Sequence, residues 1–205
     1  MIKRCFDLAL ALGSLVVLAP LMLGLAIWVR LDSRGPAIYR GRRIGRDGVP
    51  FAMYKFRTMV ADADARGPAL TLGDDRRITR AGTALRRTHL DELPQLLNVL
   101  RGEMSFVGPR PETPSFVDLS DPTWRKVLSV RPGICGLAQL TFADAERTVL
   151  RRAETLSDDY TRRILPAKLA ADLRYIERRS LPLDIALLLQ TAMMIALPPP
   201  DVRAP

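Results

Sequence analysis

The sequence has few of the residues that build disulfides, metal centres and aromatic stacking surfaces. It contains two Cys, one His, six Phe, four Tyr and two Trp among 205 residues. Cys5 borders a hydrophobic segment, so a disulfide framework is disfavoured and a reducing, cytosol-facing location fits. The single His89 argues against a histidine-rich metal site. The aromatic residues are not interleaved with basic ones, as a stacking platform for nucleic acid requires.

Positive charge is abundant instead. The chain has 31 Lys and Arg against 22 Asp and Glu, a formal net charge of +9 and a pI near 10.3. This balance predicts an anionic partner, which could be nucleic acid, acidic lipid or a phosphorylated substrate. The length suits one domain with room for a membrane element.

An uncharged, mostly apolar run extends from Leu8 to Val29. As a helix it would be about 33 Å long, enough to cross a bilayer core. A signal peptide is disfavoured, because the run exceeds the usual apolar region and no clean cleavage site follows. Pro20 in mid-run argues against a simple spanning helix. Basic residues flank both ends, which favours a helix that enters one leaflet and returns. These flanking residues are Lys3, Arg4, Arg30, Arg34, Arg40, Arg42 and Arg43.

The next segment has the pattern of a β-hairpin. Residues 37–44 and 50–58 flank the turn signal Arg46-Asp47-Gly48. Lys55 and Arg57 would share one face of the second strand by its period of two. They form either a solvated basic edge or a phosphate-binding pair.

Two adjacent acids, Asp91 and Glu92, open an apolar run with helical spacing. Pro94 would fall in the first helical turn, and Gly102 is a plausible end. On spacing alone, the acids could simply cap the helix and complement its dipole. The surrounding arginines suggest a phosphate site instead, because the guanidinium group binds phosphate through two parallel hydrogen bonds. These arginines are Arg86 and Arg87 before the acids, with Arg110 and Arg131 in later turns rich in Gly and Pro.

The remaining segments carry weaker signals. Residues 60–82 read as a polar loop or short helix, in which Asp75 is a minor site candidate. Residues 144–180 have a charged helical pattern typical of a solvated face. Residues 181–197 are apolar but short for a span, which favours an amphipathic helix on the membrane or on the core. Residues 198–205 are predicted to be disordered.

The stretch RRTHLDELPQLLNVLRGEMSFVGPRPE, residues 86–112, closely resembles the core of the bacterial sugar transferases. These are monotopic phosphoglycosyl transferases. YKFRTM, GDDRRITRAG and the N-terminal residues Lys3, Arg4, Phe6 and Asp7 match the same family. The resemblance extends from Lys3 to about Leu197. The family kinks its re-entrant helix at Ser-Pro, where this chain has Ala19-Pro20.

The resemblance implies an α/β fold, mainly α with a small β-hairpin. A re-entrant membrane helix (1–34) would precede a compact cytosolic catalytic domain (35–197) with interfacial amphipathic helices. Asp91 would be the nucleophile and Glu92 its catalytic partner, with both as metal ligands for Mg²⁺ or Mn²⁺. The phosphate-binding residues would be Lys55, Arg57, Arg86, Arg87, Arg110 and Arg131.

The same resemblance implies the substrates and the location. The donor would be a nucleotide-diphosphate sugar, usually a UDP-sugar, and the acceptor polyprenyl (undecaprenyl) phosphate. The enzyme would contact membrane lipid at the bacterial inner membrane and face the cytoplasm, with no nucleic acid as partner. A homo-oligomer is left open. Two alternatives remain: a membrane-anchored scaffold without activity, and a basic nucleic-acid-binding protein.

Overall fold

A computed structural model describes residues 1–63, 67, 75–142, 158 and 160–197. Within these residues the fold is mainly helical with two small sheets. The helices are α1 Ile2–Asp32, α2 Arg80–Thr88, α3 Gln95–Arg101, α4 Pro122–Val127, α5 Leu165–Arg178 and α6 Leu181–Ala196. The strands are β1 Ile38–Ile44, β2 Pro50–Phe56, β3 Ser105–Val107 and β4 Gly133–Cys135.

Helix α1 is longer than the apolar run and is helical throughout its 31 residues. At 1.5 Å per residue it would be about 46 Å long. By length and composition alone it could cross a membrane. Pro20 lies inside the helix and lacks the N–H that would bond the carbonyl of Val16. A bend at Ala19-Pro20 stays a prediction.

The N-terminal end of α1 is fastened to the rest of the molecule. Lys3 donates to the carbonyl of Val107 at 3.2 Å and pairs with the buried Asp184 of α6. Arg4 donates to the carbonyl of Val99 at 2.7 Å, at the end of α3. Asp7 is buried and accepts a hydrogen bond from Ser105 Oγ at 2.9 Å.

The C-terminal end of α1 is fastened to the same body. Asp32 accepts a hydrogen bond from the backbone N–H of Ala81 at 3.0 Å, at the start of α2. The Arg57 guanidinium donates to the carbonyl of Ser33 at 2.7 Å and also reaches the carbonyls of Val29 and Arg34. Both ends of α1 therefore contact one globular domain.

One side of α1 remains uncovered. Large apolar residues on it are exposed, with Val16 at 70% and Leu23 at 64%. Helix α6 adds exposed apolar residues at helical spacing, Ile185, Leu189 and Met193. The predicted short helix over 181–197 is confirmed as α6. Exposed apolar surface of this kind suits a membrane or a protein partner.

The predicted hairpin is confirmed. Strands β1 and β2 pair antiparallel from Ile38↔Phe56 to Ile44↔Pro50. Asp47 and Gly48 both adopt positive φ in the turn, at 58° and 77°. An Asp-Gly pair tolerates this conformation, and the chain reverses there.

The second sheet was not anticipated, because its residues look like turns in the sequence. Strand β3 pairs parallel with β4 through Ser105↔Gly133 and Val107↔Cys135. Glycines permit the close approach at its end: a Cβ on Gly108 would lie 2.6 Å from the carbonyl oxygen of Arg131. The sequence predicted a turn rich in Gly and Pro around Arg131, and this was wrong for residues 133–135, which form β4. Their glycine was interpreted as a turn residue, although it permits close strand packing.

Three apolar clusters hold these elements together. The first joins α1, α3, β3 and α6 around Val99 and Met104. The second joins β1, α4 and α5 around Trp124 and Ile164. The third joins the end of α1 to β2 and α2 around Val29 and Leu85. The helical pattern expected over 144–180 appears as α5, while its part at 144–157 and the predicted tail 198–205 lie outside the described residues.

Candidate active site

The two acids lie in a single 3₁₀ turn, Leu90–Glu92, between α2 and α3. The sequence predicted that they open the helix, but α3 begins at Gln95 and Pro94 is its N-cap residue. His89 reverses the chain immediately before the turn with φ 54° and ψ 14°. This left-handed conformation ends α2 and sets the direction in which the acids project.

A buried asparagine holds the acids against the hairpin. Asn98 of α3 accepts a hydrogen bond from the backbone N–H of Tyr54 at 3.0 Å and donates to the carbonyl of Ala52 at 2.7 Å. These bonds fasten α3 to β2. Lys55 is the next residue of that strand after Tyr54. Its ammonium group contacts the acid pair.

Glu92 is held by two cations. Its Oε1 accepts from Lys55 Nζ at 2.6 Å and from Arg110 Nη2 at 2.6 Å. Despite burial, these two charges hold the pKa of Glu92 well below its usual range. Burial lowers the pKa of Lys55, and the charge of Glu92 opposes that effect. Glu92 is therefore an ionised acid that fixes the two cations in place.

Asp91 has different surroundings. The residue is 8% exposed, and its carboxylate makes no hydrogen bond to any residue the structure describes. Its nearest ion-pair contact is Lys55 Nζ at 4.0 Å. Burial raises the pKa of Asp91, while the charges of Lys55, Arg110 and Arg86 act in the opposite direction. Asp91 is thus a carboxylate beside cations with its oxygens uncommitted.

Arg86 approaches Asp91 from α2. Its Nε donates to the hydroxyl of Thr58 at 2.9 Å, and the negative charge of Asp91 raises its pKa against a larger lowering by burial. Gly82 allows α2 to pack closely on the backbone of Thr58, because a Cβ at Gly82 would lie 2.0 Å from the carbonyl oxygen of Thr58. The packing of α2 on Thr58 therefore positions Arg86.

Arg110 is positioned by the parallel sheet. The N–H of Gly108 donates to the carbonyl of Cys135 at 3.0 Å, and that of Gly133 to the carbonyl of Pro109 at 2.8 Å. These bonds fix the backbone just before Arg110. The charge of Glu92 raises the pKa of Arg110, which stays cationic.

The structure thus brings together five of the predicted site residues: Lys55, Arg86, Asp91, Glu92 and Arg110. The other three phosphate-binding candidates and the minor candidate Asp75 lie elsewhere. Arg57 follows the end of β2 and binds the end of α1, so it does not project with Lys55. Arg131 donates to the carbonyl of Gly102 at 2.7 Å, at the end of α3. Arg87 is exposed on α2. Asp75 pairs with Arg77 at 2.6 Å.

One basic residue near the site was missed. Arg43 of β1 is half-buried, and its pKa is lowered by burial and then by the charge of Arg110. The sequence analysis had counted Arg43 only among the basic flanks of the apolar run. The hairpin register was the signal that could have found Arg43. Tyr39 pairs with Lys55, and Arg43 lies four positions along the strand from Tyr39, so Arg43 and Lys55 share one face of the hairpin.

Among the described residues, no group of three or more His, Cys, Asp or Glu side chains could hold a metal ion. Lys55 and Arg110 already form ion pairs with Glu92. Asp91 is the acid of the pair whose carboxylate oxygens accept no hydrogen bond from the described residues. A metal here would need further ligands from a substrate.

The site combines a buried acid pair with the cations Lys55, Arg86 and Arg110, an arrangement typical of proteins that bind phosphorylated ligands. The chain belongs to the bacterial sugar transferase family, whose sequence profile matches residues 1–197.

Curated relatives agree with this assignment. The chain is 36% identical over 200 residues to a UDP-N-acetylgalactosamine-undecaprenyl-phosphate N-acetylgalactosaminephosphotransferase of Aeromonas hydrophila, covering 95% of this chain and 43% of that protein. It is 42% identical over 168 residues to the exopolysaccharide production protein PSS of Rhizobium leguminosarum bv. phaseoli, covering 78% and 84%. It is 38% identical over 192 residues to a UDP-glucose:undecaprenyl-phosphate glucose-1-phosphate transferase of Caulobacter vibrioides, covering 92% and 67%. The chain therefore spans less than half of the Aeromonas protein and most of the Rhizobium one.

Proposed function

We propose that the chain is a phosphoglycosyl transferase. It moves a sugar 1-phosphate from a nucleotide-diphosphate sugar, a UDP-sugar, to polyprenyl phosphate and yields polyprenyl diphosphate sugar and UMP. The reaction would be the first membrane step of glycoconjugate or exopolysaccharide synthesis. The observation that carries the proposal is Asp91, a buried carboxylate that faces cations and accepts no hydrogen bond from the described residues, in a family of sugar transferases.

The proposed chemistry has two displacements at one phosphorus atom. An Asp91 oxygen attacks the β-phosphorus, and the bond from that phosphorus to the bridging oxygen breaks. UMP leaves with the electron pair, and a phosphosugar-aspartate remains. An oxygen of polyprenyl phosphate then attacks the same phosphorus, and the Asp91 carboxylate is released. Asp91 needs no proton transfer in either step, but it must be ionised to attack.

The cations support this chemistry by offsetting phosphate charge. A carboxylate and a diphosphate repel each other, so attack requires positive groups that are already in place. Lys55 lies between the acids, and Glu92 holds it together with Arg110. Glu92 therefore acts through the two cations it positions. Arg86 adds a further positive charge near Asp91.

We also propose Mg²⁺, with Mn²⁺ as the alternative, as cofactor. Mg²⁺ is commonly held by one or two carboxylates together with substrate phosphates, and Asp91 offers such a carboxylate. Glu92 is less suited, because two cations already hold it. When bound, the ion supplies further neutralisation of phosphate charge. A chelator should then abolish turnover, and added Mg²⁺ should restore it.

We propose that α1 is re-entrant and that the catalytic domain lies on the cytoplasmic face of the inner membrane. Both ends of α1 contact one domain, through Lys3 and Arg4 at one end and Asp32 at the other. A helix crossing the bilayer would separate these ends. The exposed apolar sides of α1 and α6 supply surface for lipid. The proposed acceptor also lies in the membrane surface.

The first test is UMP release from a panel of UDP-sugars. Purified protein in nanodiscs would receive Mg²⁺ and undecaprenyl phosphate, and intact-protein mass spectrometry would look for a covalently bound sugar phosphate. We expect release with at least one sugar, and the adduct when the acceptor is omitted. Asp91→Asn should lose both, by at least about 10³-fold in rate.

The matched control is Asp118→Asn, because Asp118 is exposed and bonds only to Ser120 and the nearby backbone. It should behave as the wild type. Normal turnover by Asp91→Asn would refute its role as nucleophile. If none of the UDP-sugars releases UMP, the proposed reaction is refuted and a scaffold is favoured.

A further inference from the structure

Arg43 lies on the face of the hairpin that carries Lys55. Residues 39, 41 and 43 share one face of β1 because side chains alternate along a strand. Tyr39 pairs directly with Lys55, so this is the face that meets the acid pair. The site therefore continues from Glu92 and Lys55 along β1.

Gly41 separates the two side chains on this face. A Cβ at Gly41 would lie 3.1 Å from Cε1 of Tyr39 and 3.6 Å from Nη1 of Arg43. The phenol ring and the guanidinium group thus converge over a residue without a side chain. The result is an aromatic ring and a cation side by side on the strand.

Arg43 has no carboxylate within ion-pair distance among the described residues. Its one hydrogen bond there goes to the carbonyl of Arg42 at 3.0 Å. The nearby acid Glu112 is held by Lys168 at 3.2 Å. Arg110 carries a second positive charge close by, and together with burial it lowers the pKa of Arg43. Two neighbouring, partly buried guanidinium groups repel each other, and an anion between them would relieve that repulsion.

Arg86 and Arg43 lie on elements that pack differently. Arg86 is on α2, which packs on the end of α1 through Leu85 and Val29. Strand β1 continues from Arg43 to Ile44, which packs with α4 and α5.

We propose that Arg43 binds the α-phosphate of the nucleotide donor, so that the nucleoside monophosphate half lies over β1. The inference rests on the proposed function. The β-phosphate must face Asp91, and the α-phosphate next to it requires a cation of its own, which Arg43 offers without a carboxylate partner among the described residues. Arg86 is then left for the sugar phosphate and the acceptor phosphate.

The test compares Arg43→Gln with Arg42→Gln. Arg42 is exposed on the opposite face of β1, where it pairs with Ala52. The Arg42→Gln control therefore removes the same charge from a neighbouring position on the other face. In a two-step exchange, kcat/KM for each substrate reports only that substrate's own half-reaction. Donor and acceptor can thus be read separately, and UMP binding can be measured by calorimetry.

We expect Arg43→Gln to lower kcat/KM for the UDP-sugar and the affinity for UMP by about 10- to 100-fold, the usual size for a lost hydrogen bond to a charged group. Its kcat/KM for undecaprenyl phosphate should stay within about twofold of wild type. Arg43→Lys should fall between the two proteins, because it keeps the charge and loses the fork. Arg42→Gln should match wild type in all three quantities.

Unchanged UMP affinity in both Arg43 variants would overturn the inference, and so would an equal loss in the donor and acceptor half-reactions. These results need an active wild-type protein. If the wild type releases no UMP from any donor, the proposed function fails instead, so the two failures are distinguishable.

Discussion

Asp91 and Glu92 are neighbours in the chain with opposite electrostatic surroundings. Glu92 lies between Lys55 and Arg110 at 2.6 Å each, whereas the ion-pair contact of Asp91 among the described residues is Lys55 at 4.0 Å. Burial dominates for Asp91 and raises its pKa; the two cations dominate for Glu92 and lower its pKa. Asp91, the residue that we propose as nucleophile, is therefore the acid whose charge the fold stabilises less, as is common in active sites.

This contrast predicts opposite effects on stability. An acid with a raised folded-state pKa destabilises the fold when ionised, so the cost is present at neutral pH and disappears as pH falls toward about 4. Asp91→Asn should therefore raise the free energy of unfolding at pH 7 by about 1 kcal/mol, with a gain that shrinks on acidification. Chemical denaturation between pH 4 and pH 8 measures it. A variant less stable than wild type at neutral pH would contradict this.

Glu92→Gln should act in the other direction. The stabilisation from Glu92 is present above its unfolded pKa and is lost as pH falls through its lowered folded pKa. Removing its charge takes away the ion pair of Arg110 with Glu92 and leaves the largely buried Lys55 with the more distant Asp91 at 4.0 Å. We expect a loss of about 3 kcal/mol at pH 7 in the same denaturation series. An unchanged midpoint would show that the two cations do not depend on Glu92.

At the scale of elements, the chain reversal at His89 sets the direction in which Asp91 and Glu92 project. Its φ of 54° is left-handed, and its backbone bonds to Arg86 and Glu92 on either side. His89→Val should lose most UMP release and about 1–3 kcal/mol of stability, because a β-branched residue is strained there. His89→Asn tolerates this conformation and should keep near-normal turnover. Loss of activity in His89→Asn, with stability retained, would instead indicate that the imidazole takes part in the chemistry.

Elements defined by local pattern were predictable from the sequence. The apolar run, the Asp-Gly turn and the helix after the acids each depend on residues close in the chain. The parallel pair of β3 and β4 joins residues 28 positions apart in three-residue strands, which leave no periodic signal. Its glycines look like turn residues until the close packing of Gly108 on Arg131 is known.

The cations illustrate the same limit within the site. Lys55 was predictable, because it lies inside a strand whose partner and register the hairpin turn determines. Arg57 was expected beside it, but β2 ends at Phe56 and the side chain turns to the end of α1. Arg131 caps the end of α3 through Gly102. Such placements depend on tertiary packing, which spacing along one segment does not encode.

At the scale of the whole molecule, the domain and α1 are one packed unit. Lys3, Arg4 and Asp7 fasten one end of α1, while Asp32 and Arg57 fasten the other. The acid pair follows α2, which packs on the second of these ends. The position of the acid pair therefore depends on the packing of α2 against α1.

This arrangement predicts that both ends of α1 are accessible from the same side of the membrane. Cys5 is exposed near one end, and Arg34→Cys in a Cys5→Ser background supplies an exposed thiol near the other. Cys135 should stay silent in both proteins, because burial raises the pKa of its thiol to about 11. A membrane-impermeant maleimide should label both positions in inside-out vesicles and neither in intact cells. Labelling of one position in each preparation would establish a spanning helix, and the docking of both ends on one domain would then be wrong for the membrane-bound protein.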